Sequence, residues 1–421
     1  MEYLKIDYIL AAIVVLLGGI GILTSKHDNK PLKLLSFFLV AYMIEYIENS
    51  MHVWVVEMLL ILSLTKKRRL ANIDCKWYLI FLLFAFISLF YSENPIRGVP
   101  GLFMYAFPLF YYTLATIAFR SVNDIGKLMN YISKSTSFLF VLGLPFWNHR
   151  MAYPYYGMAI CSIPIIRYII TKKKMFLIQF IICMLPAFFW AKRTPLLGIA
   201  VGMVLFSLLF YRWKAVIPSV IVILFSVNVI INTSQFREKM FIDDNWETSH
   251  ATFDTFDDLD DLDESIDHVN SNGRTVFWTS MLEKYHEKHP FFGAGQGTVK
   301  AFLQSNENEL KDYFSLMHND WLLLLCEIGI VGTSFLLFFF LDIIRKCIKY
   351  SSKKYPKELR LIAASCAASI GSTMVHMFFE NCMNSFVLAT CFVFYAIFNY
   401  SIRSYQGAAK SRLFTGFLNH D

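Results

Sequence analysis

Residues 315–340 read SLMHNDWLLLLCEIGIVGTSFLLFFF, and their interpretation decides the fold. The second half is apolar enough to lie in lipid, yet the stretch opens with His318, Asn319 and Asp320. An imidazole and two helix-capping side chains therefore begin a helix that reads as membrane-embedded, and their meaning depends on which face they look onto. Working outward, the 421 residues are 56% hydrophobic and 17% aromatic but only 17% charged. Soluble domains carry about a quarter charged residues. The apolar excess is organised in repeated runs of bilayer-crossing length. The composition thus excludes a soluble enzyme and predicts an all-α, polytopic integral membrane protein. The first run, near 6–23, lacks a basic leader and a small-residue cleavage site, so it reads as a retained helix.

Charge supplies the orientation. Residues 232–317 hold seven Lys/Arg against seventeen Asp/Glu, a net of −10, so the rest carries +17 of an overall +7. Crossings are expected near 6–23, 34–48, 52–64, 77–91, 101–119, 131–146, 153–170, 175–191, 195–211, 215–231, 318–341, 361–378 and 383–402, about thirteen in all. With that layout the basic connections (KHDNKPLK, TKKRR, RSVNDIGK, TKKK, RWK, RKCIKYSSKKYPK and RSYQGAAKSR) all fall on one side. Basic residues collect on the cytoplasmic side. The N-terminus and the 232–317 loop are then external, and the C-terminus is cytoplasmic. Three regions follow: N-terminal transmembrane helices (1–231), one large extracytoplasmic loop (232–317) and C-terminal transmembrane helices (318–421).

His318 is accordingly expected at the external surface, with Asn319 and Asp320 capping the helix that follows. Gly329 and Gly332 are expected on one side of that helix, allowing close packing against a neighbour. The first half of the loop, DDNWETSHATFDTFDDLDDLDESIDHVNSNG, reads as a solvated acidic stretch without EF-hand spacing. In the second half, Val276, Phe277, Met281, Leu282 and Tyr285 recur at helical spacing after Arg274, and Pro290 with Gly293, Gly295 and Gly297 marks a tight turn. An amphipathic external helix over the membrane mouth is predicted there.

Eight cysteines, none in a CxxC pair, suggest neither a disulfide framework nor a zinc site. External cations run against the positive-inside bias and need a reason: Arg97 in ENPIRGVP, Arg150 in WNHRMAYP, and Lys192 and Arg193 in AKRTP. Such groups either snorkel to headgroups or form a fixed site for phosphate oxygens, which a guanidinium engages bidentately. Together with Arg274 they suggest a membrane-level pocket for an anionic lipid headgroup. Glu57 and Glu327 lie inside expected spans and read as structurally paired. His286 and His289 read as a solvated helix face, since HEKH is not the HExxH zinc pattern. His376 and Glu380 fall at an external helix end and could line the same mouth.

Three of these stretches, KRTPLLG, GRTVFWTSMLEKYHEKHPFFGAGQGT and HNDWLLLLCEIGIVG, together resemble the O-antigen polymerase and O-antigen ligase family of bacterial polysaccharide-assembling membrane glycosyltransferases. The resemblance is strong from Arg193 to Phe340 and elsewhere rests on span number and layout. It implies a GT-C-type multi-helix bundle in the bacterial inner membrane, with its active site facing away from the cytoplasm. It implies a donor saccharide carried on undecaprenyl diphosphate, and it matches catalytic positions to Arg193, Arg274 and His318. Arg97, Arg150, Lys192 and Asn319 are candidate substrate-binding residues beside them. Met317 replaces the family's usual proline before His-Asn, and Lys192 replaces the usual serine before Arg193; neither change removes a charged or titratable group.

The chemistry fits these residue types. A departing lipid diphosphate needs charge neutralisation, which Arg193 and Arg274 supply, while the attacking sugar hydroxyl needs a base, which His318 supplies. No metal or other cofactor is implied, and no nucleic acid partner; membrane lipids, a flippase and a chain-length regulator are. The expected activity is polymerisation of lipid-linked repeat units by inverting glycosyl transfer, yielding O-antigen or capsule. The alternatives are ligation of the polymer to lipid A core and, in another class, transport of the lipid-linked oligosaccharide. Transporters tend to place polar groups at the bilayer midplane within repeated halves, whereas here the charges cluster at one surface and no repeat is evident.

Overall fold

The computed structural model describes residues 12–13, 16–26, 29–41, 55, 59, 63, 74–143, 159–189, 193–219, 221, 224, 274–305, 316–383 and 386–407. The acidic stretch and the spans expected near 52–64 and 215–231 lie wholly or largely outside these residues, as do Glu57, Arg150 and Lys192. Among the described residues the chain is helical, with no strand. The helices are α1 (Lys30–Ala41), α2 (Lys76–Ser88), α3 (Pro95–Ala118), α4 (Asn123–Gly143), α5 (Ser162–Thr171), α6 (Met175–Phe189), α7 (Arg193–Tyr211), α8 (Arg274–Met281), α9 (Thr298–Leu303), α10 (Asp320–Tyr350), α11 (Lys357–Phe379) and α12 (Phe386–Gly407). Among the described residues, five helical stretches are long and apolar enough to cross a membrane: Pro95–Ala118, Thr194–Lys214, Asp320–Tyr350, Lys357–Phe379 and Val387–Gly407.

The surface of this bundle is apolar and parts of its interior are not. Leu79, Leu83, Phe86 and Phe90 are exposed at helical spacing around α2, as are Ile330, Leu337, Leu341 and Ile348 along α10. Water would penalise such stripes, whereas lipid tails solvate them. Meanwhile α11 buries Ser365, Ser369, Ser372 and Thr373 among alanines. Small residues let helix backbones approach closely where lipid offers no hydrophobic drive between helices. Ser372 Oγ donates to the Gly198 carbonyl of α7 at 2.7 Å, and Arg360 Nη2 donates to the Phe210 carbonyl at 3.0 Å. These two contacts make α7 and α11 antiparallel.

Element boundaries shift where capping chemistry decides them. The span expected from residue 101 starts at Pro95, because Asn94 Oδ1 accepts the Arg97 N–H and proline suits the first helical position. Arg97 is therefore on a helical turn and not in a connection. The basic segment expected to link 341 to 361 is helical through Tyr350, which puts Arg345, Lys346 and Lys349 on the last turns of α10. All eight cysteines are buried thiols outside any disulfide.

The largest correction concerns α10, which is not one straight span. Gly329 lies at φ 68°, ψ −176°, outside helical geometry. The ring centroids of Trp321 and Phe340, on either side of the break, are 6.2 Å apart. A straight helix would separate those positions by about 28 Å. The break is filled by the glycine-rich turn. The N–H groups of Ile330 and Val331 donate to the Pro290 and Phe291 carbonyls at 2.9 and 3.1 Å, and the N–H groups of Ala294 and Gly295 donate to the Cys326 and Glu327 carbonyls at 2.8 and 2.9 Å. Backbone groups freed by interrupting an apolar helix must find partners, and here an inserted loop provides them. Gly329 is thus required for a positive φ and for contact with the Phe291 carbonyl, not for helix–helix packing as the sequence suggests.

Candidate active site

The expected amphipathic helix exists as α8, continued by a π-helical turn over Leu282–His286. Its apolar face does not lie open. Phe277, Met281 and Tyr285 pack with Val299, Leu303, Met317 and Cys326 in a small core of their own. That packing sets α8 across the start of α10. Trp278 Nε1–H donates to the Met317 carbonyl at 2.8 Å, and Arg274 Nη1–H donates to the Phe379 carbonyl at 3.1 Å. One helix therefore holds the residue before His318 and the residue before Glu380.

Between those anchors, His318 Nδ1 lies 3.1 Å from Glu380 Oε2. Facing a carboxylate, Nδ1 carries the hydrogen, which leaves Nε2 free to accept a proton. His318 is itself at φ 50°, an unfavourable conformation for a residue with a Cβ. Its neighbours enforce it. Asn319 is extended and its side chain accepts the Leu322 N–H at 3.1 Å, so it caps α10. Asp320, expected to share that cap, is buried elsewhere: its carboxylate accepts the N–H groups of Cys382 and, at 2.7 Å, Met383. This ties the connection after α11 to the start of α10, and so brings Glu380 to His318.

Burial alone would raise the Glu380 carboxyl pKa. The hydrogen bond with His318 and the charges of Arg274 and, when protonated, of His318 and His376 outweigh it and hold the group below the usual carboxylate range. His376 is buried one turn earlier on α11, with its carbonyl accepting the Glu380 N–H at 2.9 Å.

The remaining predicted residues fall as follows. Arg193 is the first residue of α7. Continuing the antiparallel register of Gly198 with Ser372 and Phe210 with Arg360 sets its backbone level with the last turn of α11, where His376 lies. Arg97 is exposed and its Nη1 donates to Gln304 Oε1 at 2.6 Å, beside α9 and not in the His318 group. Asn319, a substrate-binding candidate from sequence, is buried with its side chain in the cap. Glu327, expected to be structurally paired, is buried and accepts backbone N–H groups from Gly297, Val299 and Lys300, so it caps α9. His286 is partly buried with Nδ1 3.3 Å from the Leu325 carbonyl, while His289 is exposed. Glu380 is only faintly marked in the sequence. Its signal was a lone acid between two apolar runs, on the same expected side as His318.

Taken together, an apolar-surfaced helical bundle with an arginine, a histidine and a carboxylate gathered where three helices end defines a polytopic membrane protein with an ionisable site. Residues 178–337, which include Arg193, Arg274, His318 and the break at Gly329, match the family model Wzy_C, O-Antigen ligase. Over those residues the chain is similar to the O-antigen ligase family. In the comparison with curated proteins, nothing matches.

Proposed function

We propose that the protein is an inverting, GT-C-type glycosyltransferase that polymerises surface-polysaccharide repeat units carried on undecaprenyl diphosphate, at the extracytoplasmic face of the inner membrane. The observation that carries this reading is the His318–Glu380 hydrogen bond, with Arg274 anchored one residue away on Phe379. Glu380 orients the imidazole, and His318 Nε2 takes the proton of the acceptor hydroxyl. The hydroxyl oxygen forms the new bond to the anomeric carbon as the bond from that carbon to the phosphate oxygen breaks. The electron pair leaves with undecaprenyl diphosphate, whose charge Arg274 and Arg193 neutralise. Charge supports this sidedness: Arg345, Lys346, Lys349 and Arg403 lie at the helix ends opposite His318, and basic residues collect on the cytoplasmic side.

A second reading, ligation of finished polymer to lipid A core, is favoured by the description of the matching family model. Both readings share the donor and differ in the acceptor. A deletion strain separates them. Loss of a polymerase leaves single repeat units on the surface lipid, whereas loss of a ligase leaves all material on undecaprenyl diphosphate. Purified, folded protein supplied with lipid-linked repeat units and lipid A core, and no energy source, is expected to form glycosidic bonds to one acceptor or the other; a preparation that forms none would eliminate both.

A further inference from the structure

The opposite end of the bundle contains a cavity of about 450 Å³ lined by Asp74, Arg345, Lys346, Lys349, Tyr350, Asn399, Ile402, Arg403 and Gln406. Its volume falls in the range of small-molecule sites. Four lining residues are cationic and one is acidic. Their arrangement is fixed by side-chain bonds among three helices. Lys346 Nζ sits 2.8 Å from Asp74 Oδ2 and 2.9 Å from Asp342 Oδ2. Tyr395 Oη–H donates to the Asp74 carbonyl at 2.7 Å. Gln406 Nε2 donates to Tyr350 Oη at 3.2 Å, and Asn399 Nδ2 donates to Tyr112 Oη at 3.0 Å. Asp74 and Asp342 meet this cluster through Lys346, and Asp342 also through Arg345.

Isolated lysines at helix ends snorkel outward and need no ligand. These do otherwise: guanidinium and ammonium groups from α10 and α12 converge on one concave space, at the level where apolar helices end and phosphate headgroups lie. Basic recesses between membrane helices recognise lipid phosphates through their charge and donor geometry. We infer that this cavity binds a phosphate group, the headgroup of an anionic lipid or a soluble phosphate, between α10 and α12. The inference is independent of the reaction proposed at His318.

The test uses the full chain. Native mass spectrometry of protein extracted from vesicles of equal phosphatidylglycerol and phosphatidylethanolamine is expected to retain phosphatidylglycerol preferentially. Lys349→Gln and Arg403→Gln should each reduce that retention about fivefold, whereas Lys353→Gln, an exposed lysine beyond the cavity, should not. Calorimetric titration with inorganic phosphate forms the second arm: variant-sensitive binding of phosphate without lipid retention identifies a soluble occupant. Absence of binding in both arms overturns the inference, as does a loss with Lys353→Gln equal to that with the cavity variants. Lys349 is exposed, so its substitution leaves the core intact and the test stands even if Arg403→Gln fails to fold.

Discussion

The two ends of α10 are fastened by different physics. At the Tyr350 end, Lys346 holds two carboxylates and a tyrosine hydroxyl, and side chains join regular helices. At the His318 end the helix is interrupted, and main chain joins main chain: four backbone hydrogen bonds seat the glycine turn in the break at Gly329. Side-chain pairs near a membrane surface are replaceable and contribute little each. Interlocked backbone leaves few alternatives, so it fixes the positions of Met317, His318 and Glu380 closely. A site that must hold charged groups within hydrogen-bonding distance gains from the second kind of joint.

That contrast predicts that chemistry fails most sharply at the His318 end. His318→Ala should abolish polymer formation, a loss of roughly 10²–10⁴-fold for a general base, with protein abundance in membranes unchanged by immunoblot. Full polymer from that variant would remove the base role. Arg274→Lys should cost about tenfold or more in transfer by purified protein, because an ammonium cannot reproduce the guanidinium fork. Arg193→Lys should behave alike if its side chain joins the same diphosphate, and an unaffected Arg193 variant would restrict the clamp to Arg274.

Much of this was legible beforehand, for physical reasons. Apolar runs and charge bias are collective properties, so α7, α11 and α12 lie within a few residues of where the hydropathy puts them. Arg274 and His318 were visible because charges are rare in such a chain. Three features were not. The break at Gly329 depends on a partner loop more than thirty residues upstream, which periodicity cannot report. Asp320 looked like a cap because it follows Asn319, but its carboxylate bonds Cys382 and Met383 across space. Glu380 was underrated because only the folded chain sets it beside His318.

Glu380→Gln keeps the shape and removes the charge, so it sharpens the comparison between positioning and catalysis. Transfer should fall about tenfold at neutral pH with little change in KM, a split read by steady-state kinetics. The same charge affects stability. Because the folded-state pKa of Glu380 is depressed, its contribution is fully present above the unfolded value of 4.5 and is lost as pH falls through the lower folded value. The difference in thermal midpoint between wild type and Glu380→Gln should therefore persist at pH 7 and shrink below pH 4.5. A constant difference down to pH 3 would mean that the carboxylate does not interact with His318 and Arg274 as charges.

The smallest effects should come from a pair chosen to isolate the two joints. Gly329→Ala adds a single methyl group, yet places a Cβ at positive φ and against the Phe291 carbonyl. The conformation alone costs about 1–3 kcal/mol, and transfer should fall with it because the turn that supports α8 is displaced. Asp342→Asn, by contrast, removes a carboxylate 2.9 Å from Lys346 and 3.5 Å from Arg345. Lys346 keeps Asp74, and a partly exposed pair one helical turn apart contributes about 0.5 kcal/mol. Denaturation in detergent should thus rank Gly329→Ala well below Asp342→Asn, and only the glycine variant should lose transfer. If the aspartate variant proved the more damaging, the side-chain joint would be the one that sets the bundle, and the interlocked turn would be incidental to the site.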